Sequence, residues 1–188
     1  MERVFSDFEL DEIGFKFKGK EAYENAKCIG ACEEEMEVKI ITKSCRGIPV
    51  KEIVKGTGRG TLKITAHIPW AIYVAMYGME LDTLIKGVKA YGRNSVHGNF
   101  SMVAHVTDED GAEKYKAYPN AVVKTGIVRK VENGAEEVAQ IELEVSVSPD
   151  EYGNGLYEVL AEELESEEVK GKWMTEFTPE LVQGVTTA

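Results

Sequence analysis

Apolar and polar residues alternate along much of this chain with a period of two, which is typical of antiparallel strands with one buried face. The alternation predicts strands over residues 35–42, 61–68 and 99–107. Asp108-Glu109-Asp110-Gly111 then predicts a turn, followed by a return strand over residues 113–118. The positions predicted to face inward are Met36, Val38, Ile40, Leu62, Ile64, Ala66, Ile68, Phe100, Met102, Ala104 and Val106.

A second hairpin is predicted further along the chain. Glu132-Asn133-Gly134 signals a tight turn, because Asn and Gly tolerate the positive φ angles that such a turn requires. Strands are therefore expected over residues 121–131 and 138–147, with Pro119 at a strand start or edge because it lacks a backbone N–H. In the second strand, Ala139, Ile141, Leu143, Val145 and Val147 face inward, and Gln140, Glu142, Glu144 and Ser146 face outward.

Residues 43–60 separate two of the predicted strands and are rich in Lys, Arg and Gly. The segment is too polar for a core and long for a hairpin connection. It predicts a projecting loop, poorly ordered in the isolated chain, with an apolar tip at Ile48, Pro49 and Val50.

One convincing helix is predicted, over residues 69–77. Pro69 is tolerated in a first turn, and Gly78 is a typical C-terminal stop. The helix is apolar nearly all round, so we expect it to pack mainly on its own sheet and partly at a subunit boundary. The side chains expected to make these contacts are Trp70, Tyr73, Met76 and Tyr77.

The C-terminal region carries Leu156, Val159, Leu160 and Leu164 at helical spacing among many acids, which predicts a second helix over residues 156–164. These patterns divide the chain into a β domain over residues 1–155 and a C-terminal helix and arm over residues 156–188. The predicted fold class is mainly β, with antiparallel strands, one flanking helix, a long hairpin loop and a C-terminal arm.

Charge and composition narrow the function. The 188 residues contain 22 Lys and Arg against 33 Asp and Glu, a formal charge of -11, which opposes tight binding to nucleic acid. No secretion signal is recognisable, and the longest mostly apolar stretch, residues 68–79, is too short to span a membrane. Three cysteines, an odd number, indicate reduced thiols rather than a disulfide framework.

Candidate chemical motifs each have a plainer explanation. The glycines of residues 56–60 precede a strand rather than the helix that a phosphate loop requires. Cys28 and Cys32 have no second ligand cluster with which to bind zinc, and the Asp108 turn lacks the later ligands of a calcium loop. We therefore expect no catalytic residues, no cofactor and no metal.

Several stretches, in their order and spacing, carry a resemblance to a known family. They are Gly60-Thr-Leu-Lys-Ile-Thr-Ala-His-Ile-Pro69, Met76-Tyr77-Gly78-Met79, Ala90-Tyr91-Gly92-Arg93-Asn94-Ser95, Asp108-Glu109-Asp110-Gly111, Lys116-Ala117-Tyr118-Pro119-Asn120-Ala121-Val122-Val123, Glu132-Asn133-Gly134, Glu136-Glu137-Val138-Ala139 and Pro149-Asp150-Glu151-Tyr152-Gly153-Asn154-Gly155 with Tyr157-Glu158. Over about residues 30–160 the chain resembles the major tail (tail tube) proteins of siphophages that infect Gram-positive bacteria.

The resemblance implies a small antiparallel β-sandwich or barrel with one flanking helix. Six copies form each ring, and the rings stack into a hollow tube through which DNA leaves the capsid. The resemblance also implies assembly in the host cytoplasm, a place in the virion tail, and tape-measure, tail-terminator and distal tail proteins as partners. DNA would pass as cargo without being bound. The residues expected in an inter-ring loop are Arg46, Ile48, Pro49 and Val50, and those expected in an acidic lumen are Glu35, Glu37, Glu142 and Glu144.

Two other classes remain open at this stage. A capsid-decoration or baseplate protein would form closed oligomers but no tubes. A β-barrel enzyme or ligand-binding protein would require a concave pocket with convergent polar groups.

Overall fold

Antiparallel strands make up most of the regular structure in the computed structural model, which describes residues 5–134 and 136–184. In chain order the elements are β1 (Glu9–Phe17), β2 (Glu24–Ala26), β3 (Ile29–Cys45), β4 (Ile48–Ala66), α1 (Trp70–Met76), β5 (Phe100–Thr107), β6 (Glu113–Val123), β7 (Ile141–Ser148), β8 (Tyr157–Leu160), α2 (Glu167–Glu176) and a 3-10 turn, Pro179–Val182. The mainly β class with a flanking helix is confirmed.

The strands form one sheet in the order β2-β1-β5-β6-β7-β4-β3, and β8 pairs with the first half of β6. The sheet curls so that β3 approaches β1, but no ladder joins these two strands within the described residues. The sheet is therefore open rather than closed into a barrel.

The main core lies on the face of the sheet that α1 covers. Alternate residues of β4, β5 and β7 are buried there, as their period-two pattern predicts. From α1, Tyr73 and Met76 are buried against them. Gly78 ends the helix with a φ of 56°, and a Cβ at this position would lie 1.9 Å from the carbonyl oxygen of Val96, so only glycine fits.

A second buried cluster lies on the opposite face of the sheet. Trp173 and Phe177 from α2 and the residue after it pack on Val103 and Ala117 of the central strands, and Trp173 Nε1 donates a hydrogen bond to the Lys116 carbonyl at 3.2 Å. The part of the predicted C-terminal arm that lies before residue 185 therefore packs on its own sheet. Residues 185–188 lie outside the described residues.

The predicted helix over residues 156–164 is wrong. Residues Tyr157–Leu160 form β8, because residues 114–117 of β6 are not paired with β7 and offer free backbone groups to a further strand. The helix instead begins at Glu167, where Ser166 Oγ accepts a hydrogen bond from the backbone N–H of Val169 and caps α2.

The predicted second hairpin is wrong in the bounds of its strands, although Asn133 and Gly134 form a turn, with a φ of 74° at Gly134. β6 runs through Pro119 to Val123 and pairs with β7, so the two strands do meet, but the described residues between them, 124–134 and 136–140, form no regular element. Pro119 is tolerated because the β5–β6 register shifts at this point and neither β7 nor β8 pairs with it. Val128 and Val131 are exposed, and beyond Val123 no described residue of this connection is paired in a ladder.

Candidate functional site

A long β-hairpin, formed by β3 and β4, extends beyond the rest of the sheet. β4 pairs with β7 only as far as Gly60, opposite Val147, and beyond that point β3 and β4 pair only with each other. We call residues 37–57 the hairpin arm. The eight residues of β3 in the outer part of the arm, 38–45, span roughly 25 Å at about 3.3 Å per residue.

The arm ends in a two-residue turn at Arg46 and Gly47, whose φ angles of 50° and 82° are both positive. This geometry is typical of type I′ hairpin turns, which match the twist of the flanking strands. The irregular loop predicted over residues 43–60 is therefore wrong, although the segment projects as expected. The β-branched residues of this segment favour a strand. The ladder between β3 and β4 pairs the backbone N–H and C=O groups with each other, so the hairpin forms although no core covers it.

Large apolar side chains on the arm are exposed. The set is Val38, Ile40, Ile41, Ile48, Val50, Ile53 and Val54. The inward direction predicted for Val38 and Ile40 is wrong, because no other strand or helix covers this part of β3. Ile48, Pro49 and Val50 lie at the tip and are exposed, as predicted, whereas their contact with another ring stays a prediction.

The two faces of the arm differ in chemistry, because residues opposite each other in an antiparallel ladder share a face. One face carries Val38 and the Ile40–Val54 pair, and we call it the apolar face. The other carries the pairs Lys39–Lys55, Ile41–Ile53 and Lys43–Lys51, and we call it the basic face.

The base of the arm is fixed by specific contacts. The Thr57 hydroxyl donates a hydrogen bond to the Glu37 carbonyl at 3.2 Å, where the ladder shifts register. Gly58 has a φ of 71°, and a Cβ there would lie 2.5 Å from the carbonyl oxygen of Gly153. Gly58 thus allows close packing of the arm's base on the Gly153 turn.

An acidic face lies at the other end of the same strands, opposite the main core. Glu35 is paired with Thr61, Glu142 with Thr65, and Glu144 with Lys63, so three of the four predicted lumen acids share one side of the sheet. Glu37 falls at the register shift and has no residue opposite it.

Two lysines partly neutralise this acidic face. Lys63 Nζ lies 3.4 Å from Glu33, and Lys124 Nζ lies 3.0 Å from Glu144. Exposed ion pairs of this kind contribute little to stability. The acids of this face are therefore not required for folding and can serve in a contact or a bore.

The helix residues singled out from sequence divide into two groups. Tyr73, Met76 and Tyr77 are buried, whereas Trp70 is 58% exposed. Arg129 links the two groups: its Nε donates a hydrogen bond to the Tyr73 hydroxyl at 2.9 Å, and its guanidinium carbon lies 5.8 Å from the Trp70 ring centroid. Trp70 is thus at the surface, beside a cation.

A polar cluster occupies the place where β3 approaches β1. Glu34 accepts a hydrogen bond from the buried Tyr118 hydroxyl, and Lys116 Nζ lies 2.8 Å from Asp7. Burial raises the pKa of Tyr118 well above its ordinary value, and Glu34 adds to the rise. Burial alone would raise the pKa of Asp7, but Lys114 and Lys116 outweigh it and lower that pKa. Asp7 thus fastens the N-terminal segment to β6.

Within residues 5–134 and 136–184, no three or more His, Cys, Asp or Glu side chains are grouped so that they could hold a metal ion. In the same part of the chain, no helix has both the length and the apolar character needed to cross a membrane.

No family model matches the chain, and no curated protein matches it. Among solved structures, it is similar to a chain of the anti-feeding prophage baseplate, with a TM-score of 0.45 and 10% identity over 85% of this chain and 97% of that one. It is also similar to a chain of the anti-feeding prophage tube terminating cap, with a TM-score of 0.46 and 7% identity over 85% and 96%. Likenesses at this level establish no function.

Proposed function

We propose that this chain is a self-assembling structural subunit of a phage virion, and specifically the main subunit of a tail tube. The observation that carries the proposal is the hairpin arm, which exposes seven large apolar side chains and has no partner among the described residues. Large apolar side chains grouped on one projecting element, rather than scattered singly over the surface, are typical of a protein–protein interface.

The energy available from the arm is of the same order as the cost of association. Fully burying an apolar side chain of this size contributes roughly 1.5–3 kcal/mol, and because these seven are only 41–66% exposed, covering them all contributes on the order of 5–12 kcal/mol. Association costs an estimated 4–15 kcal/mol in lost freedom of motion. Covering the arm therefore offsets much of this cost, and repeated contacts between copies add to the stabilisation.

The edges of the sheet support a repeating assembly. β3 has no strand paired on its outer edge within the described part of the chain, and isolated domains normally protect such edges. A ring of identical subunits converts free edges into interfaces, and head-to-tail contacts that do not close extend rings into a filament. The tube proposed here has six-membered rings, with the arm tip at Arg46, Ile48, Pro49 and Val50 reaching the next ring.

The acidic face is proposed to line the bore of the tube. Six copies would carry a formal charge of roughly -66, six times -11. Acidic side chains can therefore line the bore while others remain on the outer surface of the tube. Such a wall repels phosphates and lets DNA pass without binding. Glu35, Glu142 and Glu144 fit this role best because they share one face.

The proposal includes no catalytic role for the chain. Burial raises the pKa of Cys32 to about 11, with a further contribution from Glu34. This thiol stays protonated near neutral pH and is a poor nucleophile.

Electron microscopy of an arm-shortened variant tests the proposal. Replacing residues 41–53 by Asn-Gly would close the hairpin at the Ile40–Val54 pair with the same kind of two-residue turn. We expect concentrated wild-type protein to form hollow tubes, and the shortened variant to stay folded by circular dichroism but to form no tubes. Wild-type particles that are closed and of one size would favour a decoration or baseplate role instead, and normal tubes from the shortened variant would overturn the role of the arm.

A further inference from the structure

The charge of the chain is distributed unevenly. Residues 38–55 of the hairpin arm contain five basic residues and one acid, a net charge of +4. The other 170 residues contain 17 basic residues and 32 acids, a net charge of -15. The arm therefore has the opposite sign to the protein that carries it.

The lysines of the arm are arranged in like-charged pairs. Lys39 lies directly opposite Lys55, and Lys43 lies directly opposite Lys51, on the same face of the ladder. Like charges in directly opposed positions destabilise a β-ladder. None of these four lysines makes a salt bridge within the part of the chain that the structure describes.

An apolar pair separates the two lysine pairs. Ile41 and Ile53 face each other midway between them, and all six residues of the basic face are exposed. The lysine pairs are four residues apart, about 13 Å along the strands. The basic face thus offers cationic groups at two levels with a hydrocarbon contact between them.

From this arrangement we infer that the basic face of the hairpin arm docks on an acidic surface of a second copy of this chain. The inference rests on the proposed self-assembly and names its partner and its recognition chemistry. Carboxylates of the second copy neutralise the two lysine pairs, which removes their mutual repulsion, while Ile41 and Ile53 are covered. The apolar face of the arm remains available for a separate contact.

A protein surface suits the basic face better than a nucleic acid. The phosphate backbone offers no apolar group to cover Ile41 and Ile53, and the -15 charge of the remaining chain repels a polyanion at long range. A second copy supplies both acids and apolar atoms. Its net charge also steers the arm towards it at low ionic strength.

The test is the salt dependence of assembly by the full chain and by two variants of equal charge. One variant carries Lys39→Glu and Lys55→Glu, which reverses one lysine pair of the basic face. The control carries Lys18→Glu and Lys86→Glu, at two exposed lysines outside the arm. Both variants have a formal charge of -15, four units below wild type. Tube elongation is followed by light scattering at 50, 150 and 500 mM NaCl.

We expect wild-type elongation to slow at least tenfold between 50 and 500 mM NaCl, because salt screens the docking contact. At 50 mM NaCl, the Lys39/Lys55 variant should elongate at least tenfold more slowly than wild type, and the control should stay within twofold of it. The conservative variant Lys39→Arg with Lys55→Arg should elongate as wild type does.

A mixing experiment tests the direction of the contact. The Lys39/Lys55 variant keeps its acidic surface, so it can receive a wild-type arm but donates its own arm poorly. Added to wild type at one part in ten, it should therefore shorten the tubes, whereas the control should not.

The outcomes separate this inference from the proposed function. Wild type that stays monomeric at every salt concentration would overturn both. Tubes that form at rates independent of salt, with equal elongation by the Lys39/Lys55 variant and the control, would overturn only the basic-face contact. Binding of a 30-base-pair DNA duplex by wild type, lost in the Lys39/Lys55 variant, would assign the basic face to nucleic acid and overturn its docking on a second copy.

Discussion

The two ends of the β3–β4 ladder have similar alternation of apolar and polar residues but opposite environments. At the base, Ile64 of β4 is 1% exposed, because α1 and the neighbouring strands cover it. In the arm, Ile40 of β3 is 59% exposed, although the same ladder continues. Period-two patterning therefore indicates a strand with two unlike faces, and what covers each face depends on the rest of the fold or on another molecule.

The largest difference between base and arm should be in stability. Ile64→Ala leaves a cavity in the main core and should lower the free energy of unfolding by about 2–5 kcal/mol. Ile40→Ala removes an exposed side chain and should change it by less than about 0.5 kcal/mol. Urea denaturation of the unassembled chain measures both, and equal losses would mean that the arm is covered within one subunit.

Trp70 should give an intermediate effect. Its ring is exposed but stacks on Tyr73, with 5.9 Å between the ring centroids, and lies beside Arg129. Trp70→Ala should therefore lower the free energy of unfolding by about 1 kcal/mol, within the range of such aromatic and cation–π contacts. Tyr77→Ala, at a buried position of the same segment, is the matched control and should cost about 3–5 kcal/mol.

Lowering the pH should reduce the stability of the folded chain through Asp7. Its pKa is lowered in the folded chain, so its contribution to stability is present above the usual pKa near 3.8 and is lost as the pH falls through the lower folded value. Thermal unfolding between pH 2 and 7 should show a decline below about pH 4 that is smaller in Asp7→Asn. An identical pH profile for the variant would contradict this role.

The acidic face should have the smallest effect on folding. Replacing Glu35, Glu37, Glu142 and Glu144 by Lys should change the free energy of unfolding by less than about 1 kcal/mol, because the four are on the surface and the ion pair of Glu144 with Lys124 is exposed. If they line the bore, tubes of this variant should hold short duplex DNA in a nuclease-resistant form at low salt. The control variant has the same number of Glu→Lys changes outside the acidic face, at Glu132, Glu136, Glu137 and Glu163. Nuclease should still digest the DNA when it is mixed with tubes of this control.

The sequence predicted the elements whose buried face is covered by neighbouring strands or α1. The alternation at residues 61–66, 100–106 and 141–147 and the helix ending before Gly78 agree with the structure. Each of these patterns is local, and each lies beside elements that supply the other half of the core.

The failures came where distant parts of the chain decide the outcome. Spacing alone favoured a helix over residues 156–164, but the free edge of β6 is contributed by residues 114–117. Asn133-Gly134 predicted a tight turn joining two strands directly, but β6 ends at Val123 and β7 begins only at Ile141. The second buried cluster was missed, although Ser166 followed by two acids and the spacing of Trp173 and Phe177 are recognisable helix signals.

Cryo-electron microscopy of the particles formed by the wild-type chain tests the central claim most directly, because it shows what covers the hairpin arm. The account predicts a hollow tube in which each arm lies against a copy in the adjacent ring, with Ile48 and Val50 buried and Glu142 and Glu144 facing the bore. A tube whose arms project into solvent, with subunits joined only through other surfaces, would contradict it.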